Sequence, residues 1–268
     1  MDVETTDTNN TQNEDKNKTS FYSDAAQYWS SIPATVDGVL GGFGFISQTD
    51  IQGSIGFLKQ LFKLQNPPGQ GRALDCGAGI GRITKHLLIK YFDKVDLVEQ
   101  NPAFLEEAKT YIDCNQKIGN LICNGLQDFK PEPKSYDVIW CQWVLGHLTD
   151  EDFVTFFNCC KKGLKPNGII VVKENLTSSD KVEVDEQDSS VTRPVAIMRK
   201  LFKKAGLHCI KEQKQGNFPR GLYTVKMFAL KPEDLTAKSN SNANASEDSD
   251  PKSDVTSSSD GSHNQMDV

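Results

Sequence analysis

The chain has 268 residues, 37% hydrophobic content and a formal net charge of −6, which suits a single domain with a full-sized core. The acidity lies at the ends, because residues 1–20 carry a net −3 and residues 232–268 a net −6, leaving +3 for residues 21–231. No stretch approaches the roughly 20 apolar residues of a membrane span. A weakly basic core without a basic and aromatic cluster disfavours direct nucleic-acid binding.

Both ends are poor in apolar residues, so we expect disordered tails at residues 1–20 and 232–268. The acidic C-terminal tail could also serve as a partner-binding or phosphorylated segment, a choice that the composition leaves open. The seven cysteines include no CxxC pair and follow no leader-like segment, which favours reduced thiols in an intracellular compartment. The remaining residues, 21–231, are predicted to form one domain.

The first part of that domain, residues 21–65, contains two helix-like stretches around a glycine-rich segment, residues 36–44. Such a segment is flexible enough to close over a site, although an ordinary loop explains it equally well. We therefore predict a helical lid over residues 21–65, followed by a catalytic core at 66–231.

From residue 72 onward, short apolar runs alternate with helical patterns. The predicted strands are Arg72–Cys76, Val95–Val98, Asn120–Cys123, Tyr136–Trp140, Gly168–Lys173, Leu207–Lys214 and Leu222–Leu230. The predicted helices are Ile80–Tyr91, Pro102–Ile112, Asp150–Gly163 and Val191–Ala205. Strands separated by helices indicate an α/β fold with a mostly parallel sheet, and the last two strands predict an antiparallel edge.

A glycine motif, DCGAGIGR at residues 75–82, lies where the first strand meets the first helix of the core. Glycines there let the backbone approach a ligand, and the helix N-terminus offers free N–H groups. The spacing is GxGxG, unlike the GxGxxG of dinucleotide sites, and the Lys-Ser/Thr of a phosphate loop is missing. Glu99 ends the second strand, where a carboxylate accepts hydrogen bonds from ribose hydroxyls. The alternatives are a packing turn and a nicotinamide site.

Together, Asp75, the GxGxG turn and Glu99 resemble the cofactor site of the seven-stranded, Rossmann-like class I methyltransferases, which bind S-adenosyl-L-methionine. Enzymes that methylate amide or base nitrogens often carry an Asn/Asp-Pro-Pro-aromatic motif after the fourth strand. Residues 140–147 read WCQWVLGH instead, which disfavours those acceptors.

Beyond the cofactor motif, residues 21–231 resemble the protein N-terminal methyltransferases that act on Xaa-Pro-Lys ends. The segments that carry the resemblance are Tyr28-Trp29, Pro33, Thr35–Gly42, Ala73–Lys85, Gly125–Phe129, Ser135–Trp140, Trp143, Gly146–Asp150, Pro166–Ile170 and Asp188–Val191. The implied reaction is methylation of the free α-amino group of proteins that begin with Xaa-Pro-Lys/Arg.

The resemblance also implies roles for individual residues. The residues implied to bind S-adenosyl-L-methionine are Gly77, Arg82, Glu99, Gln100, Asn101, Leu126, Gln127 and Gln142. The residues implied to bind the substrate are Trp29, Leu40, Ile46, Trp143, Asp185, Ser190, Leu222 and Tyr223, with Asp185 receiving the basic third residue. The residues implied in catalysis are His147 and Asp188 as general bases and Asn175 as the anchor of the incoming end.

Three features depart from the family pattern. Gln100 replaces a usually apolar residue, and Glu99 is longer than the family's frequent Asp. Residues 177–184 also differ, so the role of Asp185 depends on its register with Asp188.

The implied chemistry is simple, because an α-ammonium has a pKa of about 7.7–8.0 and only its neutral form attacks a sulfonium methyl. A base such as His147 or Asp188 need remove only one proton near neutral pH. Nearby carboxylates would stabilise the cation that forms on nitrogen, and no metal is required.

Three other functions stay open at this point: a class I methyltransferase for a small-molecule amine, a nucleic-acid modifier, and a non-catalytic scaffold with the same fold. By resemblance alone, we expect histones and chromatin factors among the substrates and a nuclear and cytoplasmic location. The sequence predicts no membrane partner, and it decides neither the number of methyl groups transferred nor the oligomeric state.

Overall fold

A seven-stranded sheet organises the protein in a computed structural model that describes residues 7–113 and 116–233. Its strand order is β3-β2-β1-β4-β5-β9-β8, with β1 to β5 parallel and β9 antiparallel to both its neighbours. The strands are β1 (Arg72–Cys76), β2 (Lys94–Glu99), β3 (Ile118–Cys123), β4 (Tyr136–Gln142), β5 (Leu164–Leu176), β8 (Leu207–Lys214) and β9 (Thr224–Pro232). The predicted α/β class and the antiparallel edge are confirmed.

Helices cover both faces of this sheet. They are α1 (Asp7–Ser31), α2 (Val36–Val39), α3 (Ser47–Leu61), α4 (Arg82–His86), α5 (Pro102–Ile112), α6 (Asp150–Gly163) and α7 (Val195–Lys204). Apolar side chains of α6 and α7 pack on one face, and those of α3, α4 and α5 on the other. Successive strand residues alternate between these two cores, as in Val138, Ile139 and Trp140 of β4. No helix in the described part of the chain is long and apolar enough to cross a membrane.

The register of the central strands places their carboxyl ends at one edge. Cys76, the last residue of β1, pairs with Val98 of β2 and with Cys141 of β4. The glycine motif and the residues after β2 and β4 therefore meet at this edge, where open α/β sheets bind ligands.

The N-terminal helix begins earlier than the sequence predicts. Residues 7–20 were assigned to a disordered tail, but α1 begins at Asp7, which corrects that assignment. From Lys18 onward α1 is held by tertiary contacts: the Lys18 ammonium lies 2.8 Å from an Asp152 carboxylate oxygen, and the Tyr22 hydroxyl donates to the other oxygen at 2.5 Å. Residues 1–6 and most of the predicted C-terminal tail, from residue 234, lie outside the described residues.

Two core segments also differ from the predictions. The predicted helix Ile80–Tyr91 is interrupted at Leu87, whose ψ of −68° and φ of −125° end α4 before a short 3-10 turn. The predicted helix Val191–Ala205 begins only at Val195, because Pro194 favours an extended conformation before it. Upstream of it lies an unpredicted hairpin, β6 (Glu183–Asp185) with β7 (Ser190–Thr192).

Candidate functional site

A cleft lies over the carboxyl ends of β1, β2 and β4, with an empty volume of about 940 Å³ that is partly open to solvent. Tyr22 and Trp29 of α1 and Leu40 after α2 line it on one side. The predicted lid region therefore does border the site, while its movement stays a prediction. The opposite wall comes from the glycine turn, Glu99 and the segment after β4.

The glycine turn is tightly packed. Gly77, Gly79 and Gly81 all have positive φ, at 68°, 55° and 79°. A Cβ atom on Gly77 would lie only 2.4 Å from a Val144 methyl, and one on Gly81 only 2.5 Å from Ile112. The turn requires glycine because both the backbone conformation and the space exclude a side chain. Without side chains, the backbone of the turn can come close to a ligand, although the N–H groups of Gly77, Gly79 and Gly81 already donate within the protein.

Glu99 is buried at the end of β2, and its carboxylate is oriented by the backbone. One oxygen accepts from the Gly79 N–H and the other from the Asn101 N–H, each at 2.9 Å. Burial raises the pKa of Glu99, and these N–H donors oppose that rise. Each carboxylate oxygen has a further lone pair, so ribose hydroxyls can still donate to it.

Asn101 does not belong to the cleft wall, although the resemblance implied cofactor binding. Its side-chain oxygen accepts from the Ala103 N–H at 2.9 Å and caps α5, while its amide donates to the Trp29 carbonyl at 3.0 Å. An Asn directly before a proline at the start of a helix is a recognised capping signal, which the sequence analysis overlooked. Asn101 therefore links the segment after β2 to α1.

The remaining predicted cofactor residues do line the cleft. Gln100, Leu126 and Gln127 lie on its wall. Arg82 and Gln142 line its floor.

Beneath Arg82 and Gln142 lies a buried polar network that the sequence analysis did not identify. The Asp50 carboxylate accepts from Arg82 at 2.7 Å and from the Gln142 amide at 2.9 Å, and the Lys173 ammonium lies 2.5 Å from it. Although burial raises the pKa of Asp50, Lys173 and Arg82 outweigh that effect and keep the pKa below its ordinary value. Burial lowers the pKa of Lys173 to about 8, so its ammonium stays protonated at neutral pH.

On the acceptor side, His147 lies between α1 and the β6–β7 hairpin. Its Nδ1 is 3.3 Å from the Ser189 carbonyl, which assigns the proton to Nδ1, and its Nε2 accepts from the Trp29 indole at 3.0 Å. An Asp188 oxygen lies 4.0 Å from Nε2. Burial lowers the pKa of His147, an effect that Asp188 opposes, so the imidazole is a neutral base at pH 7.

Two buried polar atoms near His147 have no hydrogen-bond partner in the described part of the chain. They are the Trp143 indole Nε1 and the Asp188 Oδ1. Trp143 also has a φ of 54°, and Ser189, next to Asp188, a φ of 52°, a left-handed conformation that is rare outside glycine. Unpaired buried polar atoms are costly, so a binding partner is expected to satisfy them.

The turn that carries Trp143 and His147 is fixed by two buried polar side chains, Glu174 and Arg193. One Glu174 oxygen accepts from the Val144 and Leu145 N–H groups, both at 2.9 Å, and burial raises the pKa of Glu174 to about 7. Arg193 donates to the Leu145 carbonyl at 2.9 Å and to the Leu148 carbonyl at 2.5 Å. Neither residue was identified from the sequence.

The other implied substrate and catalytic residues lie outside the cleft wall. They are Ile46, Asn175, Asp185, Asp188, Ser190, Leu222 and Tyr223. Asp185 and Ser190 pair across the β6–β7 hairpin, and the exposed Tyr223 hydroxyl donates to Glu183 of that hairpin at 2.6 Å. Asn175 on β5 pairs with Val225 on β9, and Ile46 is buried. The structure therefore brings Trp29, Leu40, Trp143 and His147 to the cleft and places Asp188 4.0 Å from His147, while the others lie farther out.

A family model described as AdoMet-dependent proline di-methyltransferase matches residues 17–231. The chain belongs to this family. N-terminal Xaa-Pro-Lys N-methyltransferase 1 of Xenopus tropicalis is 50% identical over 214 residues, which cover 79% of this chain and 95% of that protein. Alpha N-terminal protein methyltransferase 1 of Drosophila melanogaster is 50% identical over 79% of this chain and 76% of its own length. A solved SAM-dependent methyltransferase of Leishmania major superposes with a TM-score of 0.75 at 44% identity, covering 79% and 83% of the two chains.

The cofactor of this methyltransferase is S-adenosylmethionine, and the cleft fits it. The glycine turn, where a Cβ would collide, leaves room for close backbone approach, Glu99 suits ribose hydroxyls, and Arg82 suits a carboxylate. When bound, the cofactor supplies an electrophilic methyl group on a sulfonium sulfur.

Proposed function

We propose that this methyltransferase methylates the free α-amino group of proteins that begin with Xaa-Pro-Lys/Arg. The observation that carries the proposal is the pair of unpartnered buried atoms, Trp143 Nε1 and Asp188 Oδ1, beside the neutral imidazole of His147 at the cofactor cleft. A donor and an acceptor left unpaired next to a base suit the amine and carbonyl groups of an incoming chain end.

In this proposal, Asp188 and His147 take the proton that the α-ammonium must lose. Asp188 has a free oxygen for the ammonium, and it lies close enough to His147 Nε2 to pass the proton on once Trp29 releases that nitrogen. The Asp188 carboxylate then stabilises the positive charge that returns to nitrogen after methylation. Trp29 and Trp143 hold the prolyl ring and the methylated ammonium by their faces.

The basic third residue of the substrate meets the hairpin acids. Asp185 is exposed on β6. Burial raises the pKa of Tyr28 on α1, and the negative charges of Asp188 and Asp185 raise it further. These acids therefore lie near α1 at the acceptor side, where a lysine or arginine is attracted. Ile46, Asn175, Ser190, Leu222 and Tyr223 are proposed to line the path farther out.

The test is mass spectrometry of a hexapeptide beginning Ser-Pro-Lys after incubation with the protein and S-adenosylmethionine. We expect successive additions of 14 Da at the α-nitrogen, and no addition when the peptide is N-acetylated. Equal methylation of the acetylated peptide would sink the proposal. Methylation of small amines with no activity on the free peptide would favour the small-molecule alternative.

We also propose histones and chromatin factors as physiological substrates, and a nuclear and cytoplasmic location. This part depends on the family resemblance alone. N-terminal proteomics of cells lacking the protein tests it, since unmethylated Xaa-Pro-Lys ends should accumulate on nuclear proteins.

A further inference from the structure

The buried network under the cleft contains a lysine that cannot touch the cofactor. Lys173 is fully buried on β5 and does not line the cleft. Its ammonium contacts the Asp50 carboxylate at 2.5 Å, the Asp50 carbonyl at 3.0 Å, Ser54 at 2.9 Å and Gln215 at 2.7 Å. Any effect of Lys173 on the cofactor is therefore indirect, through its contact with Asp50 and through its charge near Arg82.

Asp50 in turn orients two side chains of the cleft floor. Its carboxylate accepts from Arg82 at 2.7 Å and, with both oxygens, from the Gln142 amide nitrogen at 2.9 Å. The Trp140 indole donates to the Gln142 oxygen at 3.1 Å, so the orientation of that amide is fixed from both ends. Asp50 is fully buried, which leaves water no share in these contacts.

Within this network, two cations share one carboxylate. The Asp50 carboxylate pairs with both Lys173 and Arg82, so its single negative charge does not fully compensate the positive charge of Arg82. Asp75 also lies within electrostatic reach of Arg82, but its carboxylate is committed to the Thr84 N–H and hydroxyl. Removing Lys173 alone makes the surroundings of Arg82 one charge more negative.

We propose that Lys173 and Asp50 are positioning residues that make the cofactor pocket select a donor bearing a carboxylate. Asp50 points Arg82 and Gln142 at the cleft, and Lys173 keeps Arg82 electropositive. S-adenosylmethionine carries a carboxylate on its methionine end, whereas decarboxylated S-adenosylmethionine differs by that group only. The ratio of the two affinities therefore measures the proposed effect.

The experiment is isothermal titration of the full chain with each donor, with no acceptor present. For Lys173→Met we expect the affinity for S-adenosylmethionine to fall about tenfold or more, while the affinity for the decarboxylated donor changes by less than about twofold. Equal loss for both donors would mean that Lys173 is merely structural, and no loss would remove its role. Because no acceptor peptide is used, the result is independent of the proposed function.

The control is Lys165→Met. Lys165 pairs with Asp137 at 2.9 Å, and both residues lie at the amino ends of β5 and β4, away from the cleft. We expect this variant to keep the donor preference of the unmodified protein, because it removes a lysine–aspartate pair of similar geometry at the wrong end of the sheet.

A second variant protects the test against unfolding, because breaking a buried ion pair is strongly destabilising whereas replacing both partners is tolerated better. Lys173→Met combined with Asp50→Asn removes both charges and restores the net charge of the network, and the Asn side-chain oxygen still offers Arg82 an acceptor in place of Asp50. We expect its preference for the carboxylate-bearing donor to return to within about threefold of the original. A preference as weak as that of Lys173→Met alone would overturn the charge argument.

Discussion

The cleft has a donor half, around Glu99 and Arg82, for the methyl donor, and an acceptor half, around Trp143 and His147, for the amine that receives the methyl group. The two halves differ in how their polar atoms are satisfied. In the donor half, the polar side chains are satisfied by the protein itself: Glu99 accepts two backbone N–H groups, and Asp50 binds Arg82, Gln142 and Lys173. In the acceptor half, Trp143 and Asp188 each keep a buried polar atom without a partner in the described residues. The donor half is thus preorganised by the fold, whereas the acceptor half leaves hydrogen bonds for the substrate to make.

Asp188→Asn should break the acceptor half with the largest effect. The variant keeps the shape but loses the proton acceptor, so kcat on a Ser-Pro-Lys peptide should fall at least about 100-fold. The dissociation constant of the donor should stay unchanged by titration calorimetry. Asp180→Asn, an exposed aspartate in the same segment, serves as the control and should retain full activity. A normal kcat for Asp188→Asn would remove Asp188 from the reaction.

Gly77→Ala should break the donor half. The new methyl group must occupy a backbone conformation with φ of 68° and meets Val144 at 2.4 Å, so donor affinity should fall about 30-fold. Gly41→Ala is the matched control, because Gly41 has a similar φ of 58° but nothing within 4 Å of the added atom. The two variants compared by calorimetry separate collision from backbone strain. Equal losses would show that the turn does not hold the donor.

Glu174→Ala should sharpen the comparison, since Glu174 holds the acceptor turn from beneath. Two backbone N–H groups lose their acceptor, so unfolding free energy should fall by about 2 kcal/mol or more, and the peptide KM should rise several-fold with donor affinity unchanged. Glu186→Ala, an exposed acid of the hairpin region, should change neither quantity.

The decrease in unfolding free energy caused by Glu174→Ala should also depend on pH. Burial raises the pKa of Glu174 from 4.5 to about 7, so the folded state holds this proton more tightly than the unfolded chain does. The contribution is complete below pH 4.5 and declines as the pH rises through 7. Urea unfolding should therefore show a larger difference between the two proteins at pH 5 than at pH 8. A larger difference at pH 8 would reverse the sign and contradict the burial argument.

The donor half was largely predictable from the sequence, because its signals are local. The GxGxG turn, Glu99 and the strands around them depend on neighbouring residues, and α5 and α6 match their predicted bounds. Asp50 was not predictable, because it comes from α3 and reaches Lys173 on β5 only after folding, 123 residues away in the chain. The clearest missed signal was Lys173 itself, a charge at the end of an apolar strand run.

The acceptor half was predicted through resemblance more than through pattern. His147 and Asp188 do lie 4.0 Å apart, but the β6–β7 hairpin that carries Asp188 has no alternating pattern long enough to indicate strands. Residues 7–20 were misassigned for a similar reason, since their composition is polar and the contacts of Lys18 and Tyr22 with Asp152 are long-range.

Helix α1 is fastened to the core in its middle and near its C-terminal end, and Tyr22, Ala25 and Trp29 line the cleft. Lys18 and Tyr22 contact Asp152 in the middle, and Trp29 contacts Asn101 and His147 near the C-terminal end. A spent donor in the cleft leaves past this helix, so contacts that hold α1 in place slow its departure. We therefore expect nucleoside release, and not the chemical step, to limit the turnover rate, and weakening the Lys18 contact to quicken it.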